Sequence, residues 1–155
     1  MRQPWRMARS YLRDTFNEQI PEKFDGFPGV SDKQLALVDA MISRRLQSVE
    51  TSSCGRLFDA VAALTRIATE VTFEGQGAIA LETAAAQGID RRYEFTLQES
   101  IEEGHPLILD FRPMIAAIVE ELSHGNATGE ISPAFTTHWQ WASWKCAAAS
   151  ARATK

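Results

Sequence analysis

The 155-residue chain is predicted to fold as a mostly α-helical domain with one short β-hairpin. Two observations carry this prediction. In five segments, apolar residues recur at intervals of three and four, which places them on one face of a helix. Residues 92–98 instead alternate apolar and polar side chains, the pattern of a half-buried strand. We therefore expect five helices, with the hairpin between the fourth and the fifth.

The first two helices begin at clear start signals. Pro4 suits the first turn of a helix that runs to about Phe16. Residues 20–30 contain two prolines and two glycines and are predicted to form a loop. Ser31 is predicted to cap the second helix, with Gln34 completing a capping box. The apolar stripe of the second helix is predicted to comprise Leu35, Val38, Ile42 and Leu46.

The remaining elements follow the same periodicities. The third and fourth helices are predicted over residues 56–69 and 77–87, and Gly88 ends the fourth. Residues 106–109 are the candidate partner of the strand at 92–98. Residues 112–123 are predicted to form the fifth helix, which Gly125 closes. The inward side chains of the fifth helix are predicted to be Met114, Ile115, Ile118, Val119 and Leu122.

Composition narrows the possible functions. The net charge of −4 gives no reason to expect binding to nucleic acid or to an acidic membrane surface. No apolar run approaches the roughly 20 residues of a membrane span. The basic amino terminus lacks the apolar stretch of a secretory signal, which leaves a transit peptide as the alternative. Two cysteines, Cys54 and Cys146, make no disulfide framework, so a reducing cytoplasm is expected.

Asp59 is the most informative side chain of the third helix, because it lies among apolar residues. A buried carboxylate without a partner is costly. We therefore expect Asp59 to face an open cleft or to accept hydrogen bonds from the protein or a ligand. The alternatives are a surface or capping role for Asp59 and a simple ion pair of Arg56 with Asp59 or Glu74. Cys54 is expected to be a small buried thiol, with a reactive thiol at a helix N-terminus as the alternative.

Two motifs resemble the HypF-type carbamoyltransferases, which mature nickel–iron hydrogenases. They are TSSCGRLFDAVAAL at residues 51–64 and EGQGAIALE at residues 74–82. The shorter segments QPWRMA, LALV, YEF and LDFRP follow the order in which they occur in that family. The resemblance extends over roughly residues 3–135.

The resemblance implies an incomplete lobe of an actin/hexokinase-like α/β domain, related to the tRNA threonylcarbamoyl-transfer enzymes. Family members make carbamoyl-adenylate from carbamoyl phosphate and ATP. They transfer the carbamoyl group to the C-terminal cysteine of a HypE partner, as the precursor of the hydrogenase cyanide ligands. By the same resemblance, Asp59 is expected to bind the nucleotide ribose, and Gly75 and Gln76 are expected to approach the nucleoside.

The resemblance also implies what lies outside this chain. The parent enzyme is expected to hold a metal ion, but the metal ligands and the phosphate loop fall beyond the chain. Catalytic residues are therefore not expected within it, and the isolated chain is expected to be inactive. His105, His124 and His138 are expected to be solvated. The alternative function is a non-catalytic helical interaction module.

The chain is predicted to divide into a partial HypF-like domain, residues 1–135, and an aberrant tail, residues 136–155. Three tryptophans, Trp139, Trp141 and Trp144, fall within six residues and precede an alanine-rich end. The tail has no clean amphipathic stripe. A shifted reading of its possible codons yields RFHNTLA, which is similar to the family's continuation. We interpret the tail as frameshifted, with a divergent tail or cloning scar as the alternative.

Overall fold

The computed structural model describes residues 3–89, 91–98, 108–126 and 128–136. Within them, the five predicted helices and a two-stranded sheet follow one another in the predicted order. In chain order the elements are α1 Pro4–Thr15, α2 Asp32–Ser43, α3 Cys54–Leu64, α4 Gln76–Ala84, β1 Thr96–Gln98, β2 Ile108–Asp110 and α5 Arg112–Ser123. Residues 128–136 are also helical, and the sequence analysis missed this segment.

The helix starts are largely those predicted. In α1, Trp5, Ala8 and Leu12 are buried. The capping box of α2 is confirmed, because the Gln34 amide donates to Ser31 Oγ at 3.4 Å and the Ser31 amide donates to Gln34 Oε1 at 2.9 Å.

The predicted stripe of α2 is wrong at its end. Val38 is buried and Leu35 and Ile42 pack against the core, but Leu46 is 54% exposed and lies beyond the helix. The helix stops because Arg45 takes up a left-handed backbone conformation, with φ of 52°.

α3 is the centre of the fold. Residues 60–64, with the sequence Ala-Val-Ala-Ala-Leu, have no exposed surface, so the helix is covered on every side at this level. α1, α4 and α5 all pack against it. Alanine side chains are small, so they let neighbouring helices come close to α3. The three alanines of residues 60–64 therefore favour the central position of this helix.

Both α3 and α4 end earlier than predicted, at Leu64 and Ala84 instead of residues 69 and 87. After α3, the Thr65 hydroxyl donates to the Val61 carbonyl at 2.8 Å, and Arg66 turns left-handed with φ of 62°. After α4, Ala85 is extended.

A tertiary hydrogen bond explains the end of α4. The Ala86 amide donates to the Gly129 carbonyl at 2.9 Å. That carbonyl is free because Pro133, four residues further along the same helical segment, has no amide hydrogen to bond to it. Pro133 thus leaves the Gly129 carbonyl available to accept the hydrogen bond from Ala86, just beyond the end of α4.

The predicted pairing of the hairpin is confirmed, although each strand is only three residues long. β1 and β2 are antiparallel, with Leu97 opposite Leu109. The bounds of α5 are those predicted, and four of its five predicted inward residues are buried while Leu122 packs against the core. The Asp110 carboxylate fixes the start of α5: Oδ1 accepts from the Arg112 amide at 3.0 Å, and the Arg112 guanidinium binds both oxygens at 2.9 and 2.6 Å.

Residues 128–136 run antiparallel to α3. The Thr128 hydroxyl donates to the Thr65 carbonyl at 3.1 Å, at the C-terminal end of α3. At the other end, the Phe135 ring meets Phe58 edge-on, with centroids 4.8 Å apart. Between them, the Ser132 hydroxyl donates to the Leu81 carbonyl of α4. This segment therefore brings the chain to the N-terminal half of α3.

Several predictions concern residues that lie outside the described ranges. They include the three tryptophans of the tail, Cys146, His105 and His138, so the frameshift interpretation and the boundary at residue 136 stay predictions. His124 is described and is exposed, as expected.

A carboxylate joins α2 to α1. Asp39 accepts from Arg9 Nε at 2.8 Å and from Arg9 Nη2 at 2.6 Å, and Arg13 Nη1 lies 3.2 Å away. The hydrogen bonds from Arg9 hold the pKa of Asp39 below its ordinary value of 3.8, against the opposing effect of burial.

We predict that Asp39→Asn destabilises the chain at neutral pH by about 1–2 kcal/mol, because it removes hydrogen bonds between charged groups. Because the folded-state pKa is lowered, this stability is present above pH 3.8 and is lost as the pH falls towards the folded-state value. Denaturant unfolding at several pH values measures it. Asp25→Asn is the control, because its pair with Arg66 is exposed. Equal losses in both variants would contradict the prediction.

Candidate functional site

A cleft of about 310 Å³ opens where the N-terminal ends of α3 and α4 meet. We call it the α3–α4 cleft. Its walls come from the start of α3 and from the turn that enters α4. The lining residues are Ser53, Cys54, Gly55, Arg56, Phe58, Asp59, Val71, Phe73, Glu74, Gly75 and Ala78.

Asp59 lies in this cleft and is 8% exposed. Arg56 Nη1, one helical turn earlier, donates to its Oδ2 at 2.7 Å. The prediction that Asp59 faces a cleft or accepts hydrogen bonds is confirmed: it lines a cleft, and it accepts a hydrogen bond from the protein. The simpler expectation that Arg56 pairs with a nearby acid is confirmed as well.

The electrostatics of Asp59 differ from those of Asp39. Burial raises the pKa of Asp59 above 3.8, and the charge of Arg56 only partly offsets this. The carboxylate of Glu74, on the opposite wall, raises the pKa further. The ionised form of Asp59 is therefore held in an unfavourable position, and a hydrogen-bond donor entering the cleft would stabilise it.

α4 packs against α3 at Gly77. A Cβ atom on Gly77 would lie 3.3 Å from Asp59 Oδ1 and 3.3 Å from Ala62 Cβ. Oδ1, the oxygen not bound to Arg56, thus faces the one position of α4 that carries no side chain. No donor in the described part of the chain reaches Oδ1.

The structure brings two of the three predicted nucleotide contacts together. Gly75 lines the cleft with Asp59 and takes a left-handed conformation, with φ of 82°, that glycine adopts without strain. Gln76 is not among the lining residues. Its Oε1 accepts from the Thr72 amide at 2.7 Å and from the Thr72 hydroxyl at 3.2 Å. Gln76 therefore holds the turn in shape, and its role at a nucleotide stays a prediction, as do those of Asp59 and Gly75.

The expectation of a buried Cys54 is wrong. Cys54 is exposed and lines the cleft, because the first turn of α3 projects beyond the core that covers residues 60–64. The sequence analysis also missed Phe73, which lines the cleft and is 55% exposed. The sequence could have indicated Phe73, because it directly precedes the EGQG turn. Residues next to a turn that lines a cleft are expected to lie at the opening of that cleft.

A second concavity, of about 320 Å³, lies between the end of α1 and α5. It is lined by Phe16, Pro21, Lys23, Ala116, Ala117, Val119, Glu120 and Ser123. None of the predicted site residues lies there, and its lining is mainly apolar. The α3–α4 cleft is therefore the candidate functional site.

Residues 3–89, 91–98, 108–126 and 128–136 bring together no group of three or more histidine, cysteine, aspartate or glutamate side chains suited to a metal ion. In the same residues, no helix combines the length and the apolar character that crossing a membrane requires.

Comparison with known proteins decides the family. The model of the family "Carbamoyltransferase, Kae1-like Domain, second subdomain" matches residues 1–155. The chain belongs to this family.

Two carbamoyltransferases are similar to this chain over part of their own length. The chain is 44% identical over 79 residues to the carbamoyltransferase HypF of Synechocystis sp., a match that covers 50% of this chain and 10% of that protein. It is 33% identical over 123 residues to the HypF of Rhizobium leguminosarum bv. viciae, covering 77% of this chain and 14% of that protein. The HypF-type resemblance seen in TSSCGRLFDAVAAL and EGQGAIALE is confirmed.

The fold agrees with this family. The crystal structure of full-length HypF in the phosphate- and nucleotide-bound form matches 95% of this chain with a TM-score of 0.78 and 27% identity. The match covers 22% of that solved chain. The chain therefore corresponds to about a fifth of the solved HypF and to a smaller share of each of the two relatives.

The raised pKa of Asp59 gives a testable pH dependence. Because the folded state binds the proton more tightly, Asp59 contributes stability at low pH, and this is lost as the pH rises from 3.8 through the folded-state value. We predict that the free energy of unfolding of the chain, relative to Asp59→Asn, falls as the pH rises. Chemical denaturation of both proteins between pH 3.5 and 7 measures this. A difference that grows with pH, as for Asp39, would contradict the assignment.

Proposed function

We propose that this chain supplies part of the nucleotide site of a cytoplasmic carbamoyltransferase that acts in nickel–iron hydrogenase maturation. In this proposal the parent enzyme makes carbamoyl-adenylate from carbamoyl phosphate and ATP. It then transfers the carbamoyl group to the C-terminal cysteine of a HypE-type protein. The chain forms an incomplete lobe of an actin/hexokinase-like domain. The family membership and the similarity to a nucleotide-bound HypF support the proposal.

The observation that carries the proposal is the state of Asp59 in the α3–α4 cleft. A buried carboxylate that lines the cleft and accepts a hydrogen bond from Arg56 through Oδ2 is suited to hydroxyl donors, because a carboxylate has room for about four hydrogen bonds. The 2′ and 3′ hydroxyls of a ribose would donate to these oxygens. Because hydrogen bonds to the ionised form lower a raised pKa, binding would relieve the cost of burying Asp59.

The entry to α4 forms the opposite wall for the nucleoside. Gly75 offers backbone without a side chain, so a base or ribose can come close. Gln76 fixes this turn through its carbonyl oxygen, which accepts two hydrogen bonds from Thr72. These contacts leave the Gln76 Nε2 group as a donor. Phe73 supplies an exposed aromatic face at the rim of the cleft.

The described residues do not fit the metal ion that the family implies, because they bring together no suitable ligand group. No step through a metal is therefore assigned to this chain. Adenylate formation needs charge stabilisation at the phosphate oxygens. The positive group in the α3–α4 cleft is Arg56, which is already paired with Asp59. In this proposal the chain binds and orients the nucleoside, and the phosphate chemistry depends on the rest of the enzyme.

A non-catalytic interaction module is the second candidate. Exposed apolar side chains on and after α2 favour it: Leu37 is 62% exposed, and Val49 is 89% exposed. Such side chains would suit a protein partner. The two candidate functions differ in what the α3–α4 cleft binds. A part of a nucleotide site is expected to select for a ribose, whereas a non-catalytic interaction module is not.

We predict that the chain binds adenosine in preference to 2′-deoxyadenosine, and that Asp59→Asn weakens adenosine binding. A lost hydrogen bond to a charged group costs roughly 1.5–3 kcal/mol, about a ten- to hundred-fold loss of affinity. Amide chemical-shift titration by NMR detects even weak binding. Asp25→Asn is the control, since it removes a carboxylate whose ion pair with Arg66 is exposed. Equal binding of the two nucleosides, or unchanged binding by Asp59→Asn, would overturn the assignment.

We also predict that the pure 155-residue chain makes no carbamoyl-AMP from ATP and carbamoyl phosphate. Its described residues bring together no group of three or more metal-ligating side chains to hold a metal ion that would stabilise the phosphate charge. Mass spectrometry of the reaction mixture checks this, with a full-length HypF as the positive control. Carbamoyl-AMP formed by the pure chain would contradict the proposal that the phosphate chemistry depends on the rest of the enzyme.

A further inference from the structure

Phe73 differs from the other exposed apolar side chains of the described ranges. The large apolar residues that are exposed there are Leu37, Leu46, Val49, Phe73, Ile79 and Ile108. Phe73 is the aromatic one among them, and it lines the α3–α4 cleft. Phe58, on the facing wall, packs edge-on against Phe135, whereas Phe73 forms no ring pair with the described residues. An aromatic side chain is thus left half exposed at the mouth of a cleft.

The turn that carries Phe73 is fixed on both sides of this residue. Val71 is 7% exposed and belongs to the core. The Thr72 amide donates to Gln76 Oε1 at 2.7 Å, which closes the turn around Phe73. A side chain on a backbone that is already fixed loses less freedom when a ligand binds to it. The position of Phe73 at the cleft is therefore set before any ligand enters.

We infer that Phe73 is the base-stacking residue of the α3–α4 cleft: its ring packs on the face of a purine base while Asp59 binds the ribose. The inference rests on the proposed function, because both contacts belong to one nucleoside. Aromatic rings favour offset-stacked contacts with other flat rings, and every nucleobase offers such a face. A base on Phe73 would also cover apolar surface that is now in water.

The cleft has room for a flat group beside Phe73. A Cβ atom on Gly75 would find no atom beyond its chain neighbours within 4 Å. On the opposite wall, a Cβ atom on Gly55 would find only Ser53 Oγ, at 3.7 Å. Both glycines line the cleft, so it is open at both walls. Its volume of about 310 Å³ lies at the lower end of the roughly 300–1,000 Å³ of ligand pockets, which suits a compact ligand such as a nucleoside.

The lining residues also indicate how a base would be selected. The wall at the entry to α4 contributes Val71, Phe73, Gly75, Ala78 and one charged side chain, Glu74. An ionised carboxylate accepts hydrogen bonds and donates none, so this wall carries no matched set of donor and acceptor side chains for a base edge. Contact with the face of the base should therefore dominate. The larger face of a purine should then bind more tightly than that of a pyrimidine.

Ile79 provides a matched control for Phe73. It is 55% exposed, as Phe73 is, but it lies on α4 outside the lining of the cleft. Phe73→Ala and Ile79→Ala both remove a half-exposed apolar side chain, and the first alone changes the cleft. Neither side chain belongs to the buried core, so both variants are expected to fold. Phe73→Tyr is the conservative variant, because it keeps an aromatic ring.

The test measures the affinity of the chain and these variants for adenosine and uridine by NMR titration. We expect Phe73→Ala to weaken adenosine binding about five- to hundred-fold, the effect of removing one aromatic side chain from a base stack. Uridine binding should weaken less, so the preference for the purine falls. Phe73→Tyr should regain most of this loss, and Ile79→Ala should bind as the unsubstituted chain does. The base protons of bound adenosine should shift upfield in the ring current of Phe73, and this shift should vanish in Phe73→Ala.

Equal adenosine affinity in Phe73→Ala and Ile79→Ala, or an unchanged purine preference in Phe73→Ala, would overturn the inference and leave the ribose contact of Asp59 intact. Failure of the proposed function gives a different result: adenosine and 2′-deoxyadenosine bind alike, and Asp59→Asn changes nothing. A loss confined to Phe73→Ala would in that case still assign the base to this ring. If the unsubstituted chain binds no adenosine, both the proposed function and the inference are wrong.

Discussion

Complete burial of α3 between residues 60 and 64 is the constraint on which the rest of the structure depends. A helix covered on every side needs small side chains where its neighbours cross it. Ala62 meets α4 at Gly77, where a further methyl group would lie only 3.3 Å from the Ala62 Cβ atom. Asp59 lies at the edge of this contact, so the packing of the core and the shape of the α3–α4 cleft are set by the same interface.

The two aspartates illustrate different uses of a carboxylate. Asp39 is bound by Arg9 on both oxygens, its pKa is lowered, and it stabilises the contact of α2 with α1. Asp59 has one oxygen bound by Arg56, its pKa is raised by burial, and its charge opposes folding at neutral pH. Local destabilisation of this kind is common where a protein binds a ligand. The contrast supports a binding role for Asp59 more strongly than its burial alone.

Local chemistry made much of the fold predictable. The capping box at Ser31 and the apolar period of α5 are properties of contiguous residues, and the structure agrees with both. The end of α4 was misjudged because a contact distant in sequence decides it, the Ala86 bond to Gly129. α3 ends earlier than predicted at a local turn, where the Thr65 hydroxyl bonds to the Val61 carbonyl and Arg66 is left-handed. The helical segment at residues 128–136 was missed because Pro133 signals a break. Its freed carbonyl finds a donor in another part of the chain, which no local pattern reveals.

The candidate site was predictable to a similar degree. Asp59 stood out because it is charged in an apolar period, and Gly75 was singled out by the resemblance to the HypF-type carbamoyltransferases. Their meeting in one cleft follows from how α4 packs on α3, and periodicity does not contain that information. Cys54 is exposed at the start of α3, and the Gln76 side chain accepts hydrogen bonds from Thr72 within the turn that enters α4. The resemblance to a known family grouped Asp59, Gly75 and Gln76 in one site, and the structure places Asp59 and Gly75 in one cleft.

The most direct test of this account is a crystal structure of the chain soaked with adenosine at high concentration. We predict that the ribose lies in the α3–α4 cleft with a hydroxyl oxygen about 2.5–3.0 Å from a carboxylate oxygen of Asp59, the distance of an O–H···O hydrogen bond. Arg56 should keep its contact with Oδ2. Adenosine bound elsewhere, with Asp59 paired only to Arg56 and the cleft filled by water, would contradict the account.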